Sequence, residues 1–112
     1  MVVTLDSSPF GSPARTRVLL ALRLLGESYP RELARITDGR LSSVQRALQS
    51  LERDGLVAGR TVGRQRIFQL NPRYFAATEL QPLLERLAQS DLRLERAVSQ
   101  LRRRPRRTGK PI

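Results

Sequence analysis

The sequence of 112 residues contains neither cysteine nor histidine. These absences exclude a thiolate nucleophile, a histidine general base, a disulfide and a metal site built from cysteine or histidine. The acidic residues are scattered, so carboxylates suggest no metal site either. Ser42 and Ser43 have no histidine to activate them, and no glycine-rich phosphate loop is present. We therefore predict that the protein is not an enzyme and uses no metal and no other cofactor.

Long apolar runs are also lacking. No stretch of the sequence has the length of a membrane-spanning helix. The first ten residues, MVVTLDSSPF, have neither the basic start nor the apolar run of a secretory signal. We therefore expect a cytoplasmic protein without a membrane partner.

Acidic residues are few beside the basic ones. Ten acidic residues oppose twenty-one basic residues, which gives a formal net charge of +11, and Lys110 is the sole lysine. An excess of this size predicts a polyanionic partner, with nucleic acid ahead of an anionic membrane surface. Arginine makes paired hydrogen bonds to phosphate and guanine better than lysine does. Genomic composition bias also enriches arginine, so its abundance alone does not identify the partner.

The segment LSSVQRALQSLERDGLV, residues 41–57, has the pattern of a complete helix. Ser42 is suited to an N-cap, and Gly55 is suited to the left-handed residue that follows a helix. Three- and four-residue spacing predicts a buried face formed by Val44, Leu48 and Leu51. The opposite face carries Ser43, Gln45, Arg46, Gln49 and Arg53. Glutamine and arginine can pair with adenine and guanine edges in a major groove, but an ordinary solvated helix has the same pattern.

Two helices are predicted before this segment. Ser12 and Pro13 are suited to the N-cap and first position of a helix that Gly26 ends. It is apolar around most of its circumference, so it needs cover on two sides, from another helix or another subunit. Pro30 opens the second helix, PRELARIT, and a tight turn over residues 37–40 follows it. Two helices joined by a short turn with glycine are typical of a helix-turn-helix, although a plain helical hairpin also fits.

After Gly55 the pattern changes from helical to extended. Residues 56–61 and 64–70 are predicted to form a β-hairpin with its turn at Val62 and Gly63. Phe68 and Leu70 alternate toward the core. The outer part of the hairpin carries three arginines, Arg60, Arg64 and Arg66. An apolar base with a basic tip is typical of a wing that contacts a phosphate backbone or a minor groove.

Together, RELARIT, SSVQRALQSLERDGLV and GRQRIFQLN resemble the winged helix-turn-helix of bacterial and archaeal transcriptional regulators, most of all the ArsR-like group. The resemblance covers residues 14–71 and is strongest from Ser42 to Val57. It implies a mainly α fold with a small β-hairpin (α+β), a recognition helix in the major groove and a wing on the backbone. The founding members sense metals through cysteines, which this chain lacks, so the resemblance implies no metal sensing here.

The resemblance also implies roles for individual residues. The residues expected to contact bases are Gln45, Arg46 and Gln49. The residues expected to contact the DNA backbone are Arg31, Ser42, Ser43, Arg53, Arg60, Arg64 and Arg66.

The C-terminal part is predicted to be one long helix from about residue 78 to Arg104, before Pro105. Its apolar residues follow heptad spacing with Asp91 as the single polar member: Leu80, Leu84, Leu87, Leu94, Val98 and Leu101. So narrow a seam favours pairing with a second chain, and we expect these six residues to form a dimer interface. Packing of the same helix onto the first helix within one chain is the alternative, and the two arrangements are compatible.

The sequence thus predicts a flexible lead (1–12), a winged helix-turn-helix domain (13–71), a dimerisation helix (72–104) and a disordered basic tail (105–112). We expect a homodimeric transcriptional regulator that binds double-stranded DNA at an inverted repeat and associates with the nucleoid. The basic tail also fits an architectural nucleic-acid binder without sequence preference. A protein-interaction adaptor on the same frame is a third hypothesis, against which the basic helix face counts. No residue pattern identifies a small-molecule effector.

Overall fold

The computed structural model describes residues 9–103 of the chain. Within that range lie five helices and three strands: α1 (Pro13–Leu25), β1 (Glu27–Ser28), α2 (Pro30–Thr37), α3 (Leu41–Arg53), β2 (Val57–Val62), β3 (Gln65–Leu70), α4 (Ala77–Ala88) and α5 (Leu92–Arg103). The fold is therefore mainly α with one small antiparallel sheet, in the strand order β1-β3-β2. The predicted basic tail and residues 1–8 of the predicted lead lie outside the described residues. Among residues 9–103, no helix combines the length and apolar character needed to cross a bilayer.

Helix α1 is the centre of the fold. It begins as predicted, because the Ser12 hydroxyl accepts a hydrogen bond from the backbone N–H of Arg15 at 3.1 Å. From Val18 to Leu22 every residue is at most 1% exposed. The helix packs against α2, α3, α4, α5 and β3. The expectation that α1 is covered on two sides is therefore confirmed, and the second cover comes from α4 and α5 of the same chain.

The turn between α2 and α3 is short. Asp38 adopts a left-handed conformation (φ 57°) that ends α2, and only Gly39 and Arg40 remain before α3. The first bond of α3 is donated by the backbone N–H of Val44 to the Arg40 carbonyl at 3.0 Å. The predicted N-cap at Ser42 is therefore wrong, because the tight turn brings the chain into helical geometry two residues earlier, with Arg40 at the N-cap position. The predicted end is confirmed, since Gly55 follows α3 with φ 85°.

The sheet differs from the predicted hairpin in two details. The link after α1 pairs with β3 as the edge strand β1, a two-residue strand too short to show any alternation in the sequence. The hairpin turn lies at Gly63 and Arg64, one residue later than predicted, with Val62 paired to Gln65. Gly63 has φ 63°, and a two-residue hairpin turn of type II′ places glycine first. Arg64 is thus a turn residue at the tip of the hairpin.

The predicted single C-terminal helix is two helices. The Ser90 hydroxyl donates to the Leu87 carbonyl at 2.7 Å, which closes the end of α4. The Asp91 carboxylate then accepts from the backbone N–H of Leu94 at 3.2 Å, so it caps α5. Asp91 is therefore an N-cap at a helix break, and the prediction that it belongs to a continuous seam is wrong.

The residues predicted to form a dimer seam lie in the core of one chain. Those that are buried are Leu80, Leu84, Leu87, Leu94 and Val98. Leu101 is half-buried and packs against the same core. Because of the helix break, α4 and α5 fold back along α1. They cover the second apolar side of α1, for which the sequence did not identify a partner. Within one chain, five of the six side chains therefore belong to the core and Leu101 lies at its edge, and dimerisation itself stays a prediction.

Candidate nucleic-acid interface

Helix α3 presents a polar row to solvent. Successive residues of an α-helix are about 100° apart, so residues spaced by four and three positions share a face. The buried side of α3 consists of Val44, Ala47, Leu48 and Leu51. The opposite side consists of Ser42, Arg46, Gln49 and Arg53, all exposed, which we call the outer row. The outer row alternates hydrogen-bonding groups with positive charges along the length of the helix.

One flank of α3 is closed by α1. Arg15 donates to the Ser50 hydroxyl and forms an ion pair with Asp54 at 3.0 Å. It also donates to the Phe10 carbonyl at 2.6 Å, so its side chain is held at three points. Ser43, seven residues before Ser50, lies on this flank and is half-buried. Ser43, one of the residues predicted to contact the backbone, thus lies on the flank of α3 that α1 closes.

The other flank of α3 faces the hairpin across a groove of about 620 Å³. The α3 wall of this groove includes Gln45, Gln49 and Glu52, and Arg31 of α2 lies at the groove as well. Residues Arg64, Gln65 and Arg66 supply the hairpin wall. The three residues predicted to contact bases thus share one surface, with the two glutamines in the groove and Arg46 in the outer row.

Two of the three predicted wing arginines are neutralised by their own chain. Arg60 pairs with Glu27 of β1 at 3.0 Å. Arg66 donates two parallel hydrogen bonds to the Glu52 carboxylate, at 3.1 and 3.0 Å. Arg64, at the exposed tip, has no carboxylate oxygen within 4.0 Å among the described residues. Glutamates of β1 and α3 thus lie within reach of two of the three wing arginines, and contact of these arginines with a DNA backbone stays a prediction.

The Arg66 guanidinium is held by more than its partner carboxylate. Its central carbon lies 5.0 Å from the centre of the Phe68 ring. A Cβ atom on Gly59 would lie 2.6 Å from Arg66 Nη2 and 2.8 Å from the Phe68 ring, so the absence of a side chain there makes room for the guanidinium. The hydrogen bonds to Glu52 and the charge of Glu52 raise the pKa of Arg66 above its ordinary value. The guanidinium therefore stays charged at every pH at which proteins are normally handled.

Sequence reasoning did not identify Glu52 or Gly59 as part of this surface. Both take part in a contact between α3 and the hairpin, and Glu52 and Arg66 are fourteen positions apart. No local pattern reports such a contact. The available signal was the glutamate on an otherwise basic helix face, which is a position where a carboxylate needs a partner.

The charge that remains around α3 is positive. Within the described residues no ion pair forms at Arg31, Arg40, Arg46, Arg53 or Arg64. Of the nearby carboxylates, Glu27, Glu52 and Asp54 are each paired with an arginine, whereas Asp38 in the turn before α3 forms no ion pair among the described residues. This surface can therefore attract a polyanion without first breaking an internal ion pair.

Residues 9–103 contain no cluster of acidic residues that could hold a metal ion. Comparison with protein-family models, with curated proteins and with solved structures found no match.

Proposed function

We propose that the chain is a winged helix-turn-helix protein that binds double-stranded DNA in a sequence-specific way and regulates transcription. In this proposal α3 enters the major groove, and the β2–β3 hairpin is the wing that contacts the neighbouring backbone. The main observation in support of this proposal is the outer row of α3. Its two arginines form no ion pair within the described residues, while the carboxylates beside the row are held by Arg15 and Arg66.

The dimensions of α3 support this role. Its 13 residues extend for roughly 20 Å at about 1.5 Å per residue. A major groove about 12 Å wide admits one α-helix. Arg46 can bond in a paired fashion to guanine, and Gln45 and Gln49 can do so to adenine. One exposed helix face thus offers side chains for both kinds of base.

The surroundings of α3 support backbone contacts. Arg31 and Arg64 line the same groove beside α3, and Arg40 precedes the first turn of α3. Charges placed beside a helix in the major groove can reach the phosphates that border it. Ser42 and Arg53, at the two ends of the outer row, complete the set that we assign to the backbone. A location on the nucleoid in the cytoplasm is part of the same proposal.

Binding as a homodimer to an inverted repeat is a separate proposal. Two copies related by a twofold axis would bind half-sites with centres about 10 base pairs apart. Five of the six seam residues are buried within one chain and Leu101 packs against the same core, so this seam leaves little apolar surface for a second chain. The large apolar side chains that remain exposed in the described part of the chain include Phe75, Leu83 and Leu92. A dimer would have to bury side chains of this kind.

Selection of duplexes from a random pool by the full chain tests the proposed function. We expect enrichment of a short motif, as an inverted repeat if the protein dimerises and as a single half-site if it does not. Enrichment without a motif would instead support the architectural binder, which needs the same positive surface but no base contacts. Failure to retain any duplex at low salt would contradict both functions.

A further inference from the structure

The pair formed by Glu52 and Arg66 joins α3 to the hairpin. Among the ion pairs of the described residues, it alone bridges these two elements. Two parallel N–H···O bonds between a guanidinium and a carboxylate fix orientation as well as distance. The pair therefore restricts how far the hairpin can move from the helix.

The surroundings of this pair distinguish it from a loose surface contact. Exposed ion pairs between flexible side chains usually hold little structure in place. Here the guanidinium lies over Phe68, a buried residue, and it passes through space that Gly59 leaves empty. Gly59 and Phe68 are partners in the register of β2 and β3. The sheet thus directs Arg66 back toward α3 and away from the hairpin tip.

The pair also occupies the groove between the two elements. Glu52 and Arg66 both line it, beside Gln45 and Gln49 of α3 and Arg64 of the hairpin. If Arg66 left the pair for a phosphate, the Glu52 carboxylate would lose its partner on the surface that faces the polyanion. Such an exchange would gain one attraction and create one repulsion.

We propose that Arg66 is a positioning residue, which through Glu52 fixes the hairpin at the spacing from α3 at which Arg64 and the outer row contact the same stretch of DNA. This inference rests on the proposed function. It reassigns Arg66 from a phosphate contact to an internal brace. The charge that the hairpin offers to the backbone is then carried by Arg64.

Removal of the Glu52 carboxylate tests the proposal, because a brace and electrostatics alone predict opposite changes in DNA affinity. Glu52→Gln removes a negative charge beside the DNA, so electrostatics alone would strengthen binding. If the pair is a brace, we instead expect Glu52→Gln to weaken DNA binding about fivefold. Without the brace, the hairpin must be ordered during binding. Arg66→Met keeps much of the side chain over Phe68 and should weaken binding by a similar factor. The double variant should bind no worse than either single variant, because both remove the same brace.

Asp38→Asn is the matched control. Asp38 is an exposed carboxylate in the turn before α3, and asparagine also adopts its left-handed conformation. Its removal should leave DNA affinity unchanged or slightly raised. Two results together would overturn the inference. Glu52→Gln would bind DNA more tightly than the wild-type chain, and the salt dependence of binding by Arg66→Met would correspond to about one phosphate contact fewer.

A second measurement needs no DNA. In the free protein, backbone NMR order parameters of residues 63–65 should fall in Glu52→Gln and Arg66→Met and stay unchanged in Asp38→Asn. Unchanged order parameters in all three variants would overturn the brace, whatever their DNA affinity. If the wild-type chain binds no duplex, the proposed function is wrong, and the order parameters still decide whether the pair holds the hairpin.

Discussion

At the scale of single residues, the arginines fall into two groups. Arg15, Arg23, Arg60 and Arg66 each have a carboxylate oxygen within 3.0 Å. Such exposed pairs add little to stability, but they decide which charges stay available to a phosphate backbone. The arginines around α3 that lack a pair in the described part of the chain are the ones to which we assign contacts with DNA.

Two serines give the first prediction. Ser12→Ala removes the hydroxyl that caps α1 and should lower the free energy of unfolding by about 1 kcal/mol. Ser42→Ala is the matched control, because Ser42 lies inside the first turn of α3 with an exposed side chain and should change stability by less than about 0.5 kcal/mol. Urea denaturation of both variants provides the comparison. A larger loss at Ser42 than at Ser12 would contradict the observed start of α3.

Residue patterns predicted that Arg46, Gln49 and Arg53 lie on the exposed face of α3, but they placed Ser43 there instead of Ser42 and did not reveal the ion pairs beside the row. The row follows from the period of a helix, which Val44, Leu48 and Leu51 reveal within a single segment. The partners of Arg60 and Arg66 come from β1 and α3, and their contacts depend on how the elements pack. The sequence therefore predicted which residues carry charge but not which of these charges are paired within the chain.

At the scale of elements, the hairpin depends on a close approach at Gly59. Gly59→Ala would place a Cβ within 2.8 Å of both Arg66 and Phe68, so one of them has to move. Overpacking of this kind should lower the free energy of unfolding by about 1 to 3 kcal/mol. Thermal denaturation followed by circular dichroism measures the loss.

Gly63→Asn is the control for this variant. No atom lies within 4 Å of a Cβ at Gly63, and asparagine adopts positive φ more readily than most residues. We therefore expect a much smaller loss of stability than in Gly59→Ala. Equal losses in the two variants would show that the hairpin is sensitive to glycine replacement in general and not to the packing at Gly59.

The two C-terminal helices show that the spacing of apolar residues does not reveal a break within a helical segment. Heptad spacing continues from Leu87 to Leu94 across residues 89–91, where the helix is broken. Ser90 and Asp91 are the physical cause, since their side chains bond to the backbone at the end of α4 and the start of α5. Both residues are compatible with an exposed helix position, so the spacing of leucines alone favoured one continuous helix.

At the scale of the whole molecule, one chain encloses α1 without a partner. Leu84 is fully buried, and α4 packs on α1 within the chain. Leu84→Ala should therefore lower the free energy of unfolding by about 2 to 5 kcal/mol. The difference in melting temperature between the wild-type chain and Leu84→Ala should stay the same over a roughly hundredfold range of protein concentration, whether or not the chain dimerises elsewhere, because Leu84 is buried within one chain. A difference that grows with concentration would contradict the assignment of the seam to the core of one chain.

Oligomeric state is tested separately by sedimentation equilibrium. A dimer would show twice the 12.7 kDa mass of one chain. We predict that a dimer, where it forms, survives Leu84→Ser in any variant that still folds, because Leu84 faces α1. Loss of the dimer in a folded Leu84→Ser protein would indicate that the seam residues form the dimer interface.

The central claim is that α3 contacts bases through Gln45, Arg46 and Gln49, and a binding titration tests it most directly. The titration compares Arg46→Ala with Arg86→Ala, which removes an exposed arginine from α4, on the selected duplex and on a scrambled duplex. We predict that Arg46→Ala weakens binding to the selected duplex by about 1 to 3 kcal/mol, with a much smaller effect on the scrambled one, while Arg86→Ala leaves the ratio of the two affinities unchanged. Equal losses on both duplexes for Arg46→Ala would contradict the account.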